Sequence, residues 1–335
     1  MSFCLSGTLR LGRERGRALT YRRKGYATMQ SDGYQAADVI PAVNAALQSN
    51  GLVDVGISCC EGQGWSMQRK LLEEIEDAGA EGGLQLISTH TYKGDPPRPD
   101  SPFNTTLPVW VTEISPIMDR LGMTQTWYRN HSENEGLLHA INIHEALTTG
   151  NVSAYIYWIG AGQSSAEAPF IWAPNPKKNV SGQDMWKAND NTTVVEIPAG
   201  KAAYTIGSTY WASAHFSRFI RPGAQRIEAR AGWFFEDEPR HPALLASAFR
   251  NNNGSIVVQV INNGDEKLEV YLGLALRNRW SNQSDDCKID TWVTDSEMKF
   301  QRIDAAVLEA FRPTGNYTLS ARSLTTFVVN CGAEV

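Results

Sequence analysis

The hydrophobic period changes once along this 335-residue chain, and that change limits the folds open to it. From Ser31 to about Gly223, stretches with helical spacing alternate with short apolar runs. Ala36, Val39, Ile40, Val43 and Leu47 recur at helical spacing, with Pro41 as an expected kink. Leu52–Cys59 is an apolar run of strand length. Ser66 is placed to cap a helix with the face Met67, Leu71, Ile75 and Ala78, which Gly79 stops. Strands are expected over Leu84–His90, Leu107–Thr112 and Ser153–Trp158, and helices over roughly Asn134–Leu147 and Ala202–Phe219. Strands separated by helices imply a parallel sheet, open or closed. From about Arg226 the period drops to that of a strand, with runs at Ala243–Arg250, Ser255–Ile261, Leu268–Leu272, Lys288–Val293 and Leu324–Val329. Asn262-Asn263-Gly264-Asp265 between two of these runs predicts a hairpin. The second region is expected to be an antiparallel sandwich.

Hydrophobic residues make up 42% of the chain and charged residues 20%, which excludes wholesale disorder. No apolar run approaches the roughly 18 residues a membrane helix needs. The net charge of −5 argues against nucleic acid as the main partner. That charge is unevenly spread. Residues 1–25 carry seven basic residues against Glu14 alone, while the rest of the chain holds 24 basic and 35 acidic residues. This basic leader lacks the apolar segment of a secretory signal. It suits a mitochondrial presequence, a nucleic-acid arm, or a disordered stub foreign to the folded protein, and we take it as the stub. The Asn-x-Ser/Thr acceptors at Asn104, Asn130, Asn151, Asn179, Asn191, Asn253, Asn282 and Asn316 suit a secreted glycoprotein. Of the five cysteines, Cys287 and Cys331 fall in the strand-rich region and form a candidate disulfide; the alternative is a pair of buried thiols. Cys59 and Cys60 are expected to pack at a strand end rather than bond to each other. No metal cluster and no phosphate-binding glycine loop is legible, so no cofactor is expected.

In a parallel α/β barrel, chemistry sits at the C-terminal strand ends. Here those ends read Cys59-Cys60-Glu61 with Trp65 just after, His90 with Tyr92, Thr112-Glu113, and Tyr157-Trp158. A carboxylate beside a histidine and flat aromatic rings suits a sugar, whose C–H face stacks on indole while the acid works at the anomeric carbon. Each residue alone also has a bland role, as a structural acceptor or a core side chain. Their coincidence on successive strand ends favours a glycosidase.

Val109-Trp110-Val111-Thr112-Glu113-Ile114 resembles the nucleophile strand of fungal family 30 glycoside hydrolases. Further segments match that family in order. They are 29–38 (MQSDGYQAAD), 59–65 (CCEGQGW), 88–92 (STHTY), 151–158 (NVSAYIYW) and 217–223 (SRFIRPG). The resemblance runs from about Tyr26 to Val335. It implies an α/β fold made of the C-terminal half of a (β/α)8 barrel over residues 26–223, with a β-sandwich side domain over 224–335. It also implies a retaining hydrolase with Glu113 as nucleophile and His90, Tyr92, Trp65 and Trp158 around the reacting sugar; Trp110, on the same strand as Glu113, is a further candidate for binding the substrate. The wording of the motifs is nearest the xylan-cleaving branch, and a β-1,6-linked galactan or glucan is the next substrate.

The family's Asn-Glu-Pro, whose glutamate is the general acid/base, should lie just upstream of Tyr26. Leu19-Thr20-Tyr21-Arg22-Arg23-Lys24-Gly25 stands there instead, with no glutamate. The chain is therefore expected to be an N-terminally truncated enzyme, impaired as it stands, whose intact form is secreted and monomeric. Its partner would be a cell-wall polysaccharide, with no nucleic acid and no membrane. The alternative is a carbohydrate-binding remnant without turnover.

Overall fold

The computed structural model describes residues 2–4, 31–92, 103, 105–114, 126–130, 135–158, 160–164, 195–198, 205–231, 243–272, 287–303 and 316–331. It divides into two compact units. One comprises Met1–Gly122 and Glu145–Tyr204; the other comprises Met123–His144 and Thr205–Val335.

The first unit is built on a five-stranded sheet of β1 (Ser2–Cys4), β2 (Gly56–Gly62), β3 (Leu86–His90), β4 (Val109–Glu113) and β5 (Ala154–Tyr155), in that order. Every pairing in it is parallel. Helix α1 (Gly33–Ser49) opens on a capping box: Asp32 accepts from the Gln35 amide, and the Gln35 side chain accepts from the Asp32 amide. Pro41 sits inside α1. Helix α2 (Trp65–Asp77) starts one residue before the expected cap. Gly64 is its extended N-cap, and Ser66 is a helical residue. The cap thus falls two positions before Ser66, with the Trp65 indole of the first turn buried in the core at 5% exposure. Gly79, at φ +69°, follows its end in a conformation glycine adopts without a Cβ clash.

Parallel strands are buried on both faces, so their sequences run apolar with little alternation. Register resolves the faces. Ile57 and Cys59 of β2, Ile87 of β3, and Val109 and Val111 of β4 join Ile40 of α1 and Ile75 of α2 in one core. Ser88 and its neighbour Trp110 share the opposite face, with Cys60 beside Ser88. β1 departs from the expectation of a leader without structure. The backbone of Ser2–Cys4 pairs with Gly56–Ser58. An edge strand presents unpaired N–H and C=O groups that template a further strand, whatever its side chains. A separate parallel pair joins β6 (Ala161–Ser164) to β7 (Val195–Pro198).

The second unit contains the start of α3 (Gly136–Thr148), β8 (Thr205–Ile206), α4 (Ser208–Ser217) and two antiparallel sheets. The larger sheet takes the order β14 (Gln301–Ile303), β13 (Cys287–Thr294), β16 (Ser323–Cys331), β11 (Ile256–Asn262), β10 (Leu244–Arg250), β9 (Gln225–Ile227). The smaller pairs β12 (Leu268–Tyr271) with β15 (Asn316–Leu319). Val258, Val293, Phe327 and Val329 from the first sheet pack with Tyr317 and Leu319 from the second. The other face of the large sheet, which holds α4, mixes Ser247, Gln259, Thr294 and Thr326 with Phe249, Val257 and Ile261. Buried His215 places Nδ1 2.6 Å from Thr326 Oγ1 and Nε2 2.8 Å from Thr294 Oγ1, and its carbonyl accepts from Gln259. Trp127 Nε1 likewise donates to the Arg322 carbonyl. These bonds join Trp127 and α4 to the sandwich strands within the second unit.

The expected hairpin is not formed. β11 already pairs with β10 on one side and β16 on the other, so neither edge is open to β12. The intervening turn instead carries the chain from one sheet to the other. Asn262 Nδ2 donates to the Glu266 and Ser320 carbonyls, and Arg322 holds Asn263 and Asp265.

Candidate active site

Two slips of register shape the C-terminal ends of β2, β3 and β4. Cys60 pairs with Ser88 and Gly62 with Thr89, which leaves Glu61 as an extra residue in β2. Val111 pairs with Thr89 and Glu113 with His90, which leaves Thr112 extra in β4. Such bulges bend a strand locally and re-aim its side chains. Glu61 also takes φ +61°, a left-handed conformation unfavourable for a residue with a Cβ.

The result is a chain of polar contacts across three neighbouring strands. His90 Nε2 lies 2.6 Å from Glu61 Oε2, and Thr112 Oγ1 lies 2.8 Å from the same oxygen. His90 Nδ1 faces Glu113 Oε1 at 3.8 Å. The Tyr92 hydroxyl donates to Glu113 Oε1 at 2.6 Å, and the Tyr92 ring meets the His90 ring edge-on with centroids 5.5 Å apart. Glu113 is the most open of these acids: its side chain is 29% exposed, against 11% for Glu61.

The bulge in β2 is held from below. Gln68 of α2 is fully buried. Its Oε1 accepts from the Gly62 amide at 2.9 Å and the Cys60 amide at 3.3 Å, and its Nε2 donates to the Cys59 carbonyl at 3.1 Å. A Cβ on Gly62 would come within 2.8 Å of the Gln68 amide nitrogen, so glycine is required for this approach. Cys59 and Cys60 correct a sequence expectation. The peptide between them is cis, their Cα atoms lie 3.0 Å apart, and their sulfurs are joined in a disulfide.

The structure thus brings together Glu113, His90 and Tyr92 of the expected site. Trp158 is half-buried beside the end of β4, where its amide donates to the Ile114 carbonyl at 3.0 Å. Trp110 is half-buried on the sheet face opposite the helices. Trp65 departs from its expected place in the sugar site. Its ring is buried in the core, stacked on Phe103 at 5.4 Å, and a Cβ on Gly150 would come within 2.7 Å of it. Its apolar area is already removed from water, which leaves no open face for a sugar. Glu61 and Thr112 stood among the strand-end residues with no role assigned, and Gln68, inside α2, lay outside them. Glu61 was visible as a strand-end acid, but only the register slips reveal where it points.

Asn130, Asn151 and Asn253 are exposed, and Asn316 opens β15. Asn104, Asn179, Asn191 and Asn282 lie outside the described residues. Cys287 and Cys331 stand opposite each other in the β13–β16 register. Among the described residues, no cluster of three or more His, Cys, Asp or Glu is arranged to hold a metal ion, and no helix is long and apolar enough to cross a membrane.

Comparison with known proteins agrees with this architecture. Residues 223–327 match the glycosyl hydrolase family 30 beta sandwich domain. The catalytic domain of GH30 xylanase C from Talaromyces cellulolyticus superposes with a TM-score of 0.68 at 29% identity, over 90% of this chain and 58% of that one. The chain resembles glycoside hydrolase family 30 in its sandwich sequence and in its fold. Its parallel sheet and helices form a partial (β/α)8 barrel, accompanied by the family's β-sandwich. Glucuronoxylanase XynC of Bacillus subtilis is 25% identical over 219 residues, which is 62% of this chain and 39% of that protein. The chain therefore spans well under half the length of this relative. The family 30 subfamily 8 xylanase Xyn30A of Clostridium acetobutylicum shares the fold, with a TM-score of 0.61 at 19% identity, over 91% of this chain and 62% of that one.

Proposed function

We propose that the chain carries the nucleophilic site of a retaining glycoside hydrolase acting on xylan. The Tyr92–Glu113 hydrogen bond carries this reading. A phenol donating at 2.6 Å holds one carboxylate oxygen, and His90 stands near the same oxygen. The second oxygen is left to attack an anomeric carbon. The bond from Glu113 to that carbon forms as the bond to the leaving oxygen breaks, and water then releases the sugar with retained configuration. Xylan is supported by the named activities of the Talaromyces and Bacillus relatives, with β-1,6-linked galactan or glucan as the next candidates. The Cys59–Cys60 disulfide and the exposed Asn130, Asn151 and Asn253 acceptors support a secreted glycoprotein.

Retaining hydrolysis needs a second carboxyl group, about 5–5.5 Å from the first, to protonate the leaving oxygen. Glu61 is occupied with His90 and Thr112, and the sequence has no glutamate where the family's acid/base motif is expected. This favours slow hydrolysis of natural glycosides and supports the second reading, a carbohydrate-binding protein without turnover.

A fluorinated xyloside carrying a dinitrophenolate leaving group separates the two, because that group departs without a proton. A covalent glycosyl adduct on Glu113, found by peptide mass mapping and lost in Glu113→Gln, is the expected result. Binding of xylo-oligosaccharides with no adduct would leave the binding-only reading. Reducing-sugar release from glucuronoxylan by the wild-type chain and not by Glu113→Gln would extend the proposal to complete turnover.

A further inference from the structure

We infer that Glu61 is a positioning residue that fixes His90 as its Nε2–H tautomer, leaving Nδ1 as a hydrogen-bond acceptor on the Glu113 side. The role this gives His90 rests on the nucleophile reading of Glu113; the tautomer itself does not.

The backbone gives the first argument. Glu61 is the residue skipped in the β2–β3 register and it sits at φ +61°. Glycine would occupy that conformation without steric cost, and the chain uses glycine at the very next position. A strained glutamate implies that its side chain has a task in this place.

Hydrogen-bond chemistry defines the task. A carboxylate oxygen only accepts, so the proton in the 2.6 Å contact with His90 lies on Nε2. Thr112 approaches the same oxygen at 2.8 Å and fixes the carboxylate that faces the ring. The Tyr92 edge contact restrains the ring plane. A neutral imidazole with Nε2 protonated has a bare lone pair on Nδ1.

That lone pair faces Glu113 Oε1 across 3.8 Å, too far for a direct hydrogen bond and with no proton to share. Two acceptors aimed into one gap complement a donor that enters between them. A sugar hydroxyl is such a donor, so this arrangement selects a polyol hydroxyl beside the nucleophile over an ether or a methyl group.

The test uses the full chain labelled with ¹⁵N at its six histidines, and a long-range proton–nitrogen correlation spectrum at neutral pH. His90→Asn identifies the His90 signals. The wild-type chain is expected to show a protonated Nε2 and a bare Nδ1 at His90. Glu61→Ala should release the ring into a mixture of both tautomers, and Glu61→Gln should retain Nε2–H because the amide oxygen still accepts. A wild-type spectrum with the proton on Nδ1 overturns the inference, even if the alanine variant does not fold. So does a folded Glu61→Ala chain with an unchanged His90 spectrum. Failure to trap an adduct on Glu113 would count against the nucleophile and leave this readout intact.

Discussion

Glu61 and Thr112 are the two residues left over where neighbouring registers slip, and they meet, with Thr112 Oγ1 2.8 Å from Glu61 Oε2. Their strands flank β3, so the contact closes around His90 rather than beside it. An uninterrupted ladder would turn these side chains to the faces set by simple alternation. The polar cluster therefore depends on backbone irregularity as much as on residue identity.

Tyr92→Phe should slow attack by Glu113. The lost bond is made to a carboxylate, and such bonds contribute about 1.5–3 kcal/mol. Reaction with a dinitrophenyl xyloside should fall by roughly 10–100-fold, since each 1.36 kcal/mol is a tenfold change in rate. An unchanged rate in the phenylalanine variant would remove Tyr92 from the site.

Gln68→Ala should destabilise the fold and loosen the β2 bulge together. The change strips partners from the Cys60 and Gly62 amides and the Cys59 carbonyl in a region closed to solvent. A loss of about 3 kcal/mol is expected from groups left unsatisfied. Urea unfolding measures it, and a loss under about 1 kcal/mol would mean water replaces the amide.

Acid should unfold the second unit through its histidines. Burial holds His139 and His215 down at about 3 and His144 at about 4. All three stay neutral in the folded chain and take up protons on unfolding, where the ordinary value is about 6.5. The unfolded state binds more protons, so stability falls as pH drops below about 6.5 and continues to fall towards about 4. Each ring contributes about 1.4 kcal/mol per pH unit across that window. Urea midpoints at successive pH values should show this slope, and His215→Gln should reduce it. A midpoint flat between neutral pH and pH 5 would contradict buried neutral rings.

Cys287 and Cys331 should be found joined in protein made under oxidising conditions. Directly opposed residues on antiparallel strands have Cα atoms about 4.5–5.5 Å apart, inside the span a disulfide bridges. Non-reducing peptide mapping should recover the two peptides as one species. Loss of that bond in Cys331→Ser should cost about 2–4 kcal/mol. Recovery of both as free thiols would show two reduced side chains on facing strands.

The sequence made the layered parts of the molecule legible and left their junctions obscure. α1, α2 and strands β2 to β4 follow from apolar spacing because one helix stripe and a doubly buried strand each leave a periodic trace. Glu113, His90 and Tyr92 were readable as strand-end residues for the same reason. The Asn-Gly turn misled because hairpin chemistry is local, whereas β11 had already spent both edges on distant strands. Trp65 misled because a tryptophan at a strand end and one at a helix start look alike until the core forms. The placement of Glu61 beside His90 depends on two register slips, which no single segment encodes.

The closeness of Trp65 to Gly150 constrains how this protein can change. The indole lies 2.7 Å and the Ala146 carbonyl oxygen 2.8 Å from where a Cβ at position 150 would stand, so a larger residue there needs the end of α3 to shift as well as a smaller ring at position 65. Indole on one side and main chain on the other leave no room at position 150 to be won by changing one neighbour, and relatives that keep this helix end should keep its glycine.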